Sequence, residues 1–243
     1  MTIRVAINGA NGKMGTYVVT AIENDPELEL TGTFGHSDDL SACIKSSNAQ
    51  VVVDFTTAES AFKNAQTIVD AGVHPVIGTT GFKPEQIKLL QQKSREKSLG
   101  GIIAPNFSIG AILMMKTAQQ CVEYLPHVEI IELHHDKKAD APSGTAIKTA
   151  ELISEKAQRC GNSVEIIPGA RGANCQNIPI HSVRLPGFIA HQQVIFGGTG
   201  ETLTIKHDTT SREAFMPGVV FACKKVASLN ELVYGLENIL FSN

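Results

Sequence analysis

Short apolar runs and amphipathic segments alternate along the first hundred residues. Ile3-Arg-Val-Ala-Ile7 is short, rich in β-branched residues and stopped by Asn8-Gly9, the pattern of a buried strand that enters a tight turn. The stretch from Gly12 to Asn24 places Met14, Val18, Ala21 and Ile22 on one helical face, with Asp25-Pro26 as the stop. The alternation predicts further strands over 28–34, 51–55, 73–77 and 101–104 and further helices over 58–71 and 84–97. Strands and helices in this order form a parallel, doubly wound, Rossmann-like α/β sheet.

After Pro105 the texture changes. An apolar helix is expected over 108–124, a long strand over 128–134, and a helix over 144–160 with Ala146, Ala150, Ile153 and Ala157 on one face, closed by Gly161-Asn162. Three strand-like runs, 180–185, 192–196 and 202–207, then follow without helices between them. They imply a second, α+β domain built on a mixed or antiparallel sheet. Two helical patterns, 213–227 and 229–241, end the chain.

Composition narrows the function classes. The chain has 243 residues, 42% of them hydrophobic, enough to bury one large core or two ordinary ones. A net charge of -3, the absence of Trp and an aromatic content of 5% provide neither the basic field nor the stacking platform that nucleic-acid binding needs. The five cysteines are odd in number and form no Cys-x-x-Cys pair, which fits reduced thiols and a cytoplasmic location. No apolar run reaches the ~18 residues of a spanning helix, and no signal segment is visible, so no membrane partner is expected.

Gly9-Ala-Asn-Gly12-Lys-Met-Gly15 falls between the first strand and the first helix. Gly9 permits a tight turn, Gly12 lets backbone approach a pyrophosphate, and Gly15 allows close helix packing, while N–H groups and the helix dipole hold the anion. The spacing is Gly-x-x-Gly-x-x-Gly rather than the commoner Gly-x-Gly-x-x-Gly. At the end of the second strand, Gly35-His36-Ser37 stands where an NAD-selective site carries an acid, and Asp38-Asp39 come late. With His36, Ser37 and Lys13 available to meet a 2'-phosphate, NADPH is expected to serve at least as well as NADH. Gly78-Thr-Thr-Gly81 and Ala104-Pro-Asn-Phe107 fall at carboxyl ends of the fourth and fifth strands, where such sheets bind ligands.

The densest chemistry lies in Glu129-Ile-Ile-Glu-Leu-His-His-Asp-Lys-Lys-Ala-Asp-Ala-Pro-Ser-Gly-Thr-Ala146. His134, His135 and Asp136 invite a metal reading, but neighbours on a strand face opposite ways, and neither a His-x-x-x-His pair nor a cysteine pair completes a shell. No metal is expected. Ser143-Gly-Thr145 at a helix start offers hydroxyls and N–H groups to a carboxylate. Lys137 or Lys138 and an imidazole beside it would form a pocket for an acidic small molecule, with a histidine suited to proton transfer. For both imidazoles to reach one pocket, the strand must break at His134. His74, His127, His181 and His207 have no ligand spacing and are read as structural or surface residues.

Glu132-Leu-His134-His135-x-x-Lys138-x-Asp140-Ala-Pro-Ser-Gly-Thr145 resembles the signature of the bacterial dihydrodipicolinate reductase (4-hydroxy-tetrahydrodipicolinate reductase) family of the diaminopimelate route to lysine. Gly9 to Gly15, Asp54-Phe-Thr56, Gly78 to Gly81, Asn106-Phe-Ser-x-Gly110 and Arg184 follow in that family's order. The resemblance implies that Gly9, Ala10, Asn11, Gly12, Lys13, Met14, Gly78, Thr79, Thr80, Ala104, Pro105, Asn106 and Phe107 line an NADPH or NADH cofactor. It makes His134 the proton donor or acceptor and Lys138 the second proton donor. His135, Ser143, Gly144 and Thr145 would hold a small dicarboxylate substrate. It further implies a homotetramer and two domains: 1–107 with 217–243 for the dinucleotide, 108–216 for substrate and oligomerisation.

The chain also departs from that pattern. Ala190-His191-Gln192 stands where many members carry Gly-Glu-His ahead of a strand, Pro105 stands where some carry Ala, and the acid that often ends the second strand is missing at Gly35. Two further readings of the residues are another two-domain NAD(P)-dependent dehydrogenase, acting on aspartate or a semialdehyde, and a sensor that binds NADPH and a dicarboxylate without chemistry.

Overall fold

A strand flanked by partners on both edges and by helices on both faces exposes no side chain, which is why the β-branched runs take the centre of the first sheet. In the computed structural model, which describes residues 2–158, 161 and 163–241, the chain runs β1 (Ile3–Asn8), α1 (Gly15–Glu23), β2 (Leu28–Phe34), α2 (Leu40–Ser47), β3 (Val51–Asp54), α3 (Ala58–Asp70), β4 (His74–Ile77), α4 (Pro84–Glu96) and β5 (Gly101–Ile103). Val5, Ala6, Ile7, Val51, Val52, Val53, Val76, Ile77 and Ile102 are fully buried. The pairings among these strands are parallel, in the order β5-β4-β3-β1-β2. The order reverses at β1, so the carboxyl ends of β1 and β3 flank a crevice of the kind that binds ligands.

The next elements are α5 (Ile109–Cys121), β6 (His127–His134), α6 (Gly144–Ile153), β7 (Ala173–Cys175), β8 (Ile178–Arg184), β9 (Ala190–Gly198) and β10 (Glu201–Thr209). Their sheet has the order β10-β9-β6-β8-β7. It is mixed: β6 and β8 are parallel and the other pairings antiparallel. Alternate residues of β6 and β9 face inward, Val128, Ile130 and Glu132 beside Gln192, Val194 and Phe196, all buried. Ala146, Ala150 and Ile153 of α6 are buried as well.

A 3-10 turn (Arg212–Phe215) leads into α7 (Met216–Lys225), β11 (Leu232–Tyr234) and α8 (Glu237–Leu240). The chain divides into two compact units, Met1–Ile109 with Arg212–Asn243, and Gly110–Ser211. Gly218 lets α7 lie directly on the backbone that follows β5, since a Cβ there would sit 2.1 Å from the Phe107 carbonyl oxygen.

Four local expectations are corrected. The segment 229–241 is not one helix: Leu232–Tyr234 pairs parallel with β5 as the sixth strand of the first sheet, and Gly235 at φ 92° turns the chain. Leu232 joins Ile77, Leu90 and Ile103 in the core, so tertiary pairing overrides helical periodicity. The helix expected over 144–160 stops at Ile153 with Ser154 as its C-cap; Cys160 and Asn162 lie outside the described residues. The segment between β2 and β3 holds an unforeseen helix, α2, capped by Asp39, whose carboxylate accepts from Ser41 N–H and Ala42 N–H. Asn48 ends it at φ 51°. The short strand β7 was also unforeseen. Cys43, Cys121, Cys175 and Cys223 are free thiols. Among the described residues no helix is long and apolar enough to cross a membrane.

Gly218→Ala forces a Cβ onto backbone that cannot rotate away and is expected to destabilise the chain by about 1–3 kcal/mol. Gly144→Ala, whose Cβ would meet nothing within 4 Å, should leave stability unchanged or slightly raised. Urea unfolding midpoints of the two variants check the contrast.

Candidate active site

Glycines at the first strand-to-helix turn create a candidate binding site in the first unit. Gly9 takes φ 83°, and a Cβ on it would lie 2.7 Å from the Phe55 carbonyl oxygen. A Cβ on Gly15 would lie 2.1 Å from the Gly9 carbonyl oxygen, so α1 starts directly on the turn. Gly12 has more room, its nearest neighbour at 3.1 Å, and it is exposed where a ligand's phosphate would approach. No side chain caps α1. A helix start with no side-chain cap favours an anion.

This turn borders a cavity of about 1370 Å³ that runs along the carboxyl ends of β1 to β4. Gly9, Asn11, Gly12, Lys13 and Met14 line it, with Gly35, His36, Asp38 and Asp39 after β2, Phe55 and Thr56 after β3, and Gly78, Thr79 and Thr80 after β4. The size and the glycine cradle fit a nicotinamide dinucleotide. Ala10 is buried and does not line it. The segment Ala104–Phe107 does not line it either; the Phe107 ring lies 5.8 Å from that of cavity-lining Phe55. At the tip of β2, where Gly35 stands in place of an acid, Asp38 folds back and accepts the Gly35 N–H at 2.7 Å. His36 lines the cavity and Ser37 does not.

Beneath the cavity floor, the fully buried Asp54 carboxylate accepts from Asn8 Nδ2 (2.7 Å), Asn64 Nδ2 (3.0 Å), Thr56 Oγ1 (2.7 Å) and Thr79 Oγ1 (3.3 Å). One carboxylate thereby ties the ends of β1, β3 and β4 to α3. Only its place in a motif marked this residue in the sequence.

The second unit carries its own cluster, which follows from strand alternation. Glu132 and His134 are two residues apart on β6 and so share a face. Glu132 has no exposed surface, and His134 Nδ1 lies 2.5 Å from its Oε2. From β8, Arg184 donates through Nη1 to Oε2 (2.9 Å) and through Nη2 to Oε1 (2.7 Å). The Ser143 N–H donates to Oε1 at 3.2 Å. Burial opposes ionisation of Glu132, but hydrogen bonds from His134, Arg184 and Ser182 outweigh it and hold the carboxyl at about 2. It is therefore charged at neutral pH.

β6 ends at His134, which is the strand break that the sequence reading requires. The following turn is closed by Lys138 N–H to the His135 carbonyl (3.1 Å). Lys138 Nζ contacts both Asp140 oxygens, at 2.7 and 2.8 Å, and this bond lowers the Asp140 carboxyl's affinity for a proton. Ser143 Oγ caps α6 by accepting the Ala146 N–H at 3.2 Å; its own O–H can still donate. Gly144 and Thr145 form the first turn of α6, where N–H groups and the dipole favour a carboxylate. The structure thus brings His134, Lys138 and Ser143 into one network through Glu132, Arg184 and Asp140.

Arg184 and Asp140 were legible only as motif letters, and the Glu132 contact could have been found from its spacing of two before His134 on a strand. The Ala190-His191-Gln192 departure lies within β9. His191 Nδ1 pairs with Asp208 at 2.7 Å and Gln192 Nε2 donates to Thr149 at 2.8 Å. Of the histidines read as structural, His74 bonds the Gly100 carbonyl (2.8 Å) and His181 pairs with Glu129 (2.8 Å).

Comparison with known proteins agrees with this geometry. Residues 3–107 match the family model of the dihydrodipicolinate reductase N-terminus, and residues 110–240 that of its C-terminus. A 4-hydroxy-tetrahydrodipicolinate reductase of Coxiella burnetii is 54% identical over 241 residues, covering 99% of this chain and all of the relative. One of Legionella pneumophila is 49% identical over 243 residues, with the same coverage. A dipicolinate-bound dihydrodipicolinate reductase from Paenisporosarcina sp. TG-14 superposes with a TM-score of 0.92 at 45% identity, over 98% of this chain and all of that one. With both halves matched in order and over full length, the chain belongs to the dihydrodipicolinate reductase family.

Proposed function

We propose that the chain catalyses the NAD(P)H-dependent reduction of 4-hydroxy-tetrahydrodipicolinate to tetrahydrodipicolinate, a step of lysine and diaminopimelate biosynthesis. The observation that carries the reading is the His134–Glu132–Arg184 network set beside the start of α6, an acid–base group next to a carboxylate receptor. Product differs from substrate by one oxygen, so a hydride and a proton enter and water leaves. NAD(P)H, held by the glycine turn and the Gly78–Thr80 loop, supplies the hydride when bound.

The remaining work falls to this chain's own residues. Ser143 Oγ and the backbone N–H groups of Gly144 and Thr145, with His135, hold the substrate carboxylates. His134 exchanges its proton at Nε2, because Nδ1 is committed to Glu132. Lys138 is the second proton donor, and its cation stabilises the negative charge that develops as hydride arrives. Its contact with the exposed Asp140 costs little to open, since such pairs are worth about 0–1 kcal/mol. On the cavity wall Lys13 offers a 2'-phosphate a positive partner and His36 a ring N–H, while the Asp38 carboxylate is engaged by the Gly35 N–H. The dinucleotide role belongs to the first unit and the substrate role to the second. The assembly is a cytoplasmic homotetramer formed through the second unit's sheet, a reading supported by the exposed outer residues of β10.

Three outcomes are expected. His134→Ala and Lys138→Ala should each lower turnover by on the order of a hundred to ten thousand-fold while the fold survives, followed by NADPH absorbance with synthase-generated substrate; near-normal turnover in both would refute the assignment. Catalytic efficiency with NADPH should equal or exceed that with NADH, and a strong NADH preference would contradict the cavity reading. Sedimentation velocity should give the mass of four chains, and a monomer at working concentration would remove the tetramer.

A further inference from the structure

The family signature implies no role for Glu132, and the proposed reaction uses it only as the partner of His134 Nδ1, although it is the residue on which the second site converges. It is fully buried, and its neighbours are accounted for on each side. His134 faces it from its own strand, Arg184 and Ser182 from β8, Gln192 from β9, and the Ser143 N–H from the start of α6. Lys138 and Asp140 lie one step further out, Asp140 through its carbonyl, which accepts from Arg184 Nη2 at 2.7 Å. His191 stands opposite Leu133 on β9, paired with Asp208.

We propose that Glu132 is a positioning residue for proton transfer: it holds the His134 ring through Nδ1–H, so that proton exchange occurs at Nε2, and Arg184 keeps Glu132 in place. The reasoning is chemical. A neutral imidazole carries one N–H and one acceptor nitrogen, and the tautomer follows the partner of the bonded nitrogen. A carboxylate accepts only, so the proton stays on Nδ1 and the lone pair on Nε2. When Nε2 takes up a proton, the nearby negative charge stabilises the imidazolium; when it gives the proton to substrate, the ring returns to the same tautomer without rotating. Arg184 binds both Glu132 oxygens from a neighbouring strand and prevents the carboxylate from following the ring. This inference rests on the acid–base role proposed for His134.

The first measurement uses the unmodified chain. In protein labelled with nitrogen-15 histidine, the His134 signals are assigned by their loss in His134→Gln. The neutral ring is expected to carry its proton on Nδ1; an Nε2–H tautomer would overturn the proposal. The second uses Glu132→Gln, which keeps the shape and removes the charge. Turnover is expected to fall by about 10–100-fold, the loss typical when a carboxylate that orients a metal-bound histidine is removed, with the KM for NADPH unchanged. Glu132→Gln removes the negative charge beside the group proposed to exchange the proton, so the pH profile of kcat should be displaced relative to that of the unmodified chain. Glu132→Asp, which keeps the charge, should recover part of the turnover. An unmoved profile in a folded Glu132→Gln protein also overturns the proposal. The two possible failures separate: full turnover in His134→Ala defeats the role of His134 and this proposal with it, whereas an Nε2–H tautomer or an unmoved profile defeats the positioning role alone.

Discussion

A carboxylate without exposed surface must find enough donors to replace water, because burying an unpaired charge costs several kcal/mol. Glu132 meets that demand with His134 from its own strand, Arg184 from β8 and the Ser143 N–H at the start of α6. One desolvated charge therefore fixes three things together: the end of β6, its parallel partner β8, and the place at which α6 begins. If one partner were lost, the others would remain facing a buried charge, which typically costs about 3–5 kcal/mol. The site chemistry and the packing of the second sheet consequently rest on the same contacts.

The first unit solves a related problem with a different donor set. Asp54 is equally buried, but its donors are the neutral side chains of Asn8, Asn64, Thr56 and Thr79. Neutral donors shape loops: here they hold the ends of β1, β3 and β4 around the cavity. Charged and titratable donors, as around Glu132, couple shape to protonation. The contrast sets the first carboxylate in the architecture of a cavity and the second in the proposed proton-transfer site.

Both proposed ligands are anionic, and the chain carries a net charge of -3. Attraction therefore cannot come from an overall field. In the proposed reading it comes from two helix starts, α1 behind the glycine turn and α6 behind Ser143, where the helix dipole favours an anion at contact distance. In the same reading the nearby cations, Lys13 in one unit and Lys138 in the other, add specificity at short range without making the surface basic.

The sequence alone determined the order of the strands in the first hundred residues and of the helices α1, α3 and α4, because parallel strands buried on both faces write continuous apolar runs and these helices write a 3.6-residue period. It also determined the glycine turn and the His134 to Thr145 cluster, since φ > 0, close backbone approach and acid–base chemistry each restrict residue type strongly. It did not determine α2, where a single fully buried residue, Ile44, leaves little periodicity, nor β11, where three apolar residues are strand only because β5 offers an edge. Tertiary structure alone decided that Asp38 returns to the tip of β2, that Arg184 reaches Glu132 from 52 residues away, and that Ala104–Phe107 does not line the cavity. For Arg184 the determining partner is distant in sequence, so no local pattern of residues could record it, whereas Asp38 lies only three residues from Gly35 and its return depends on how the turn after β2 folds.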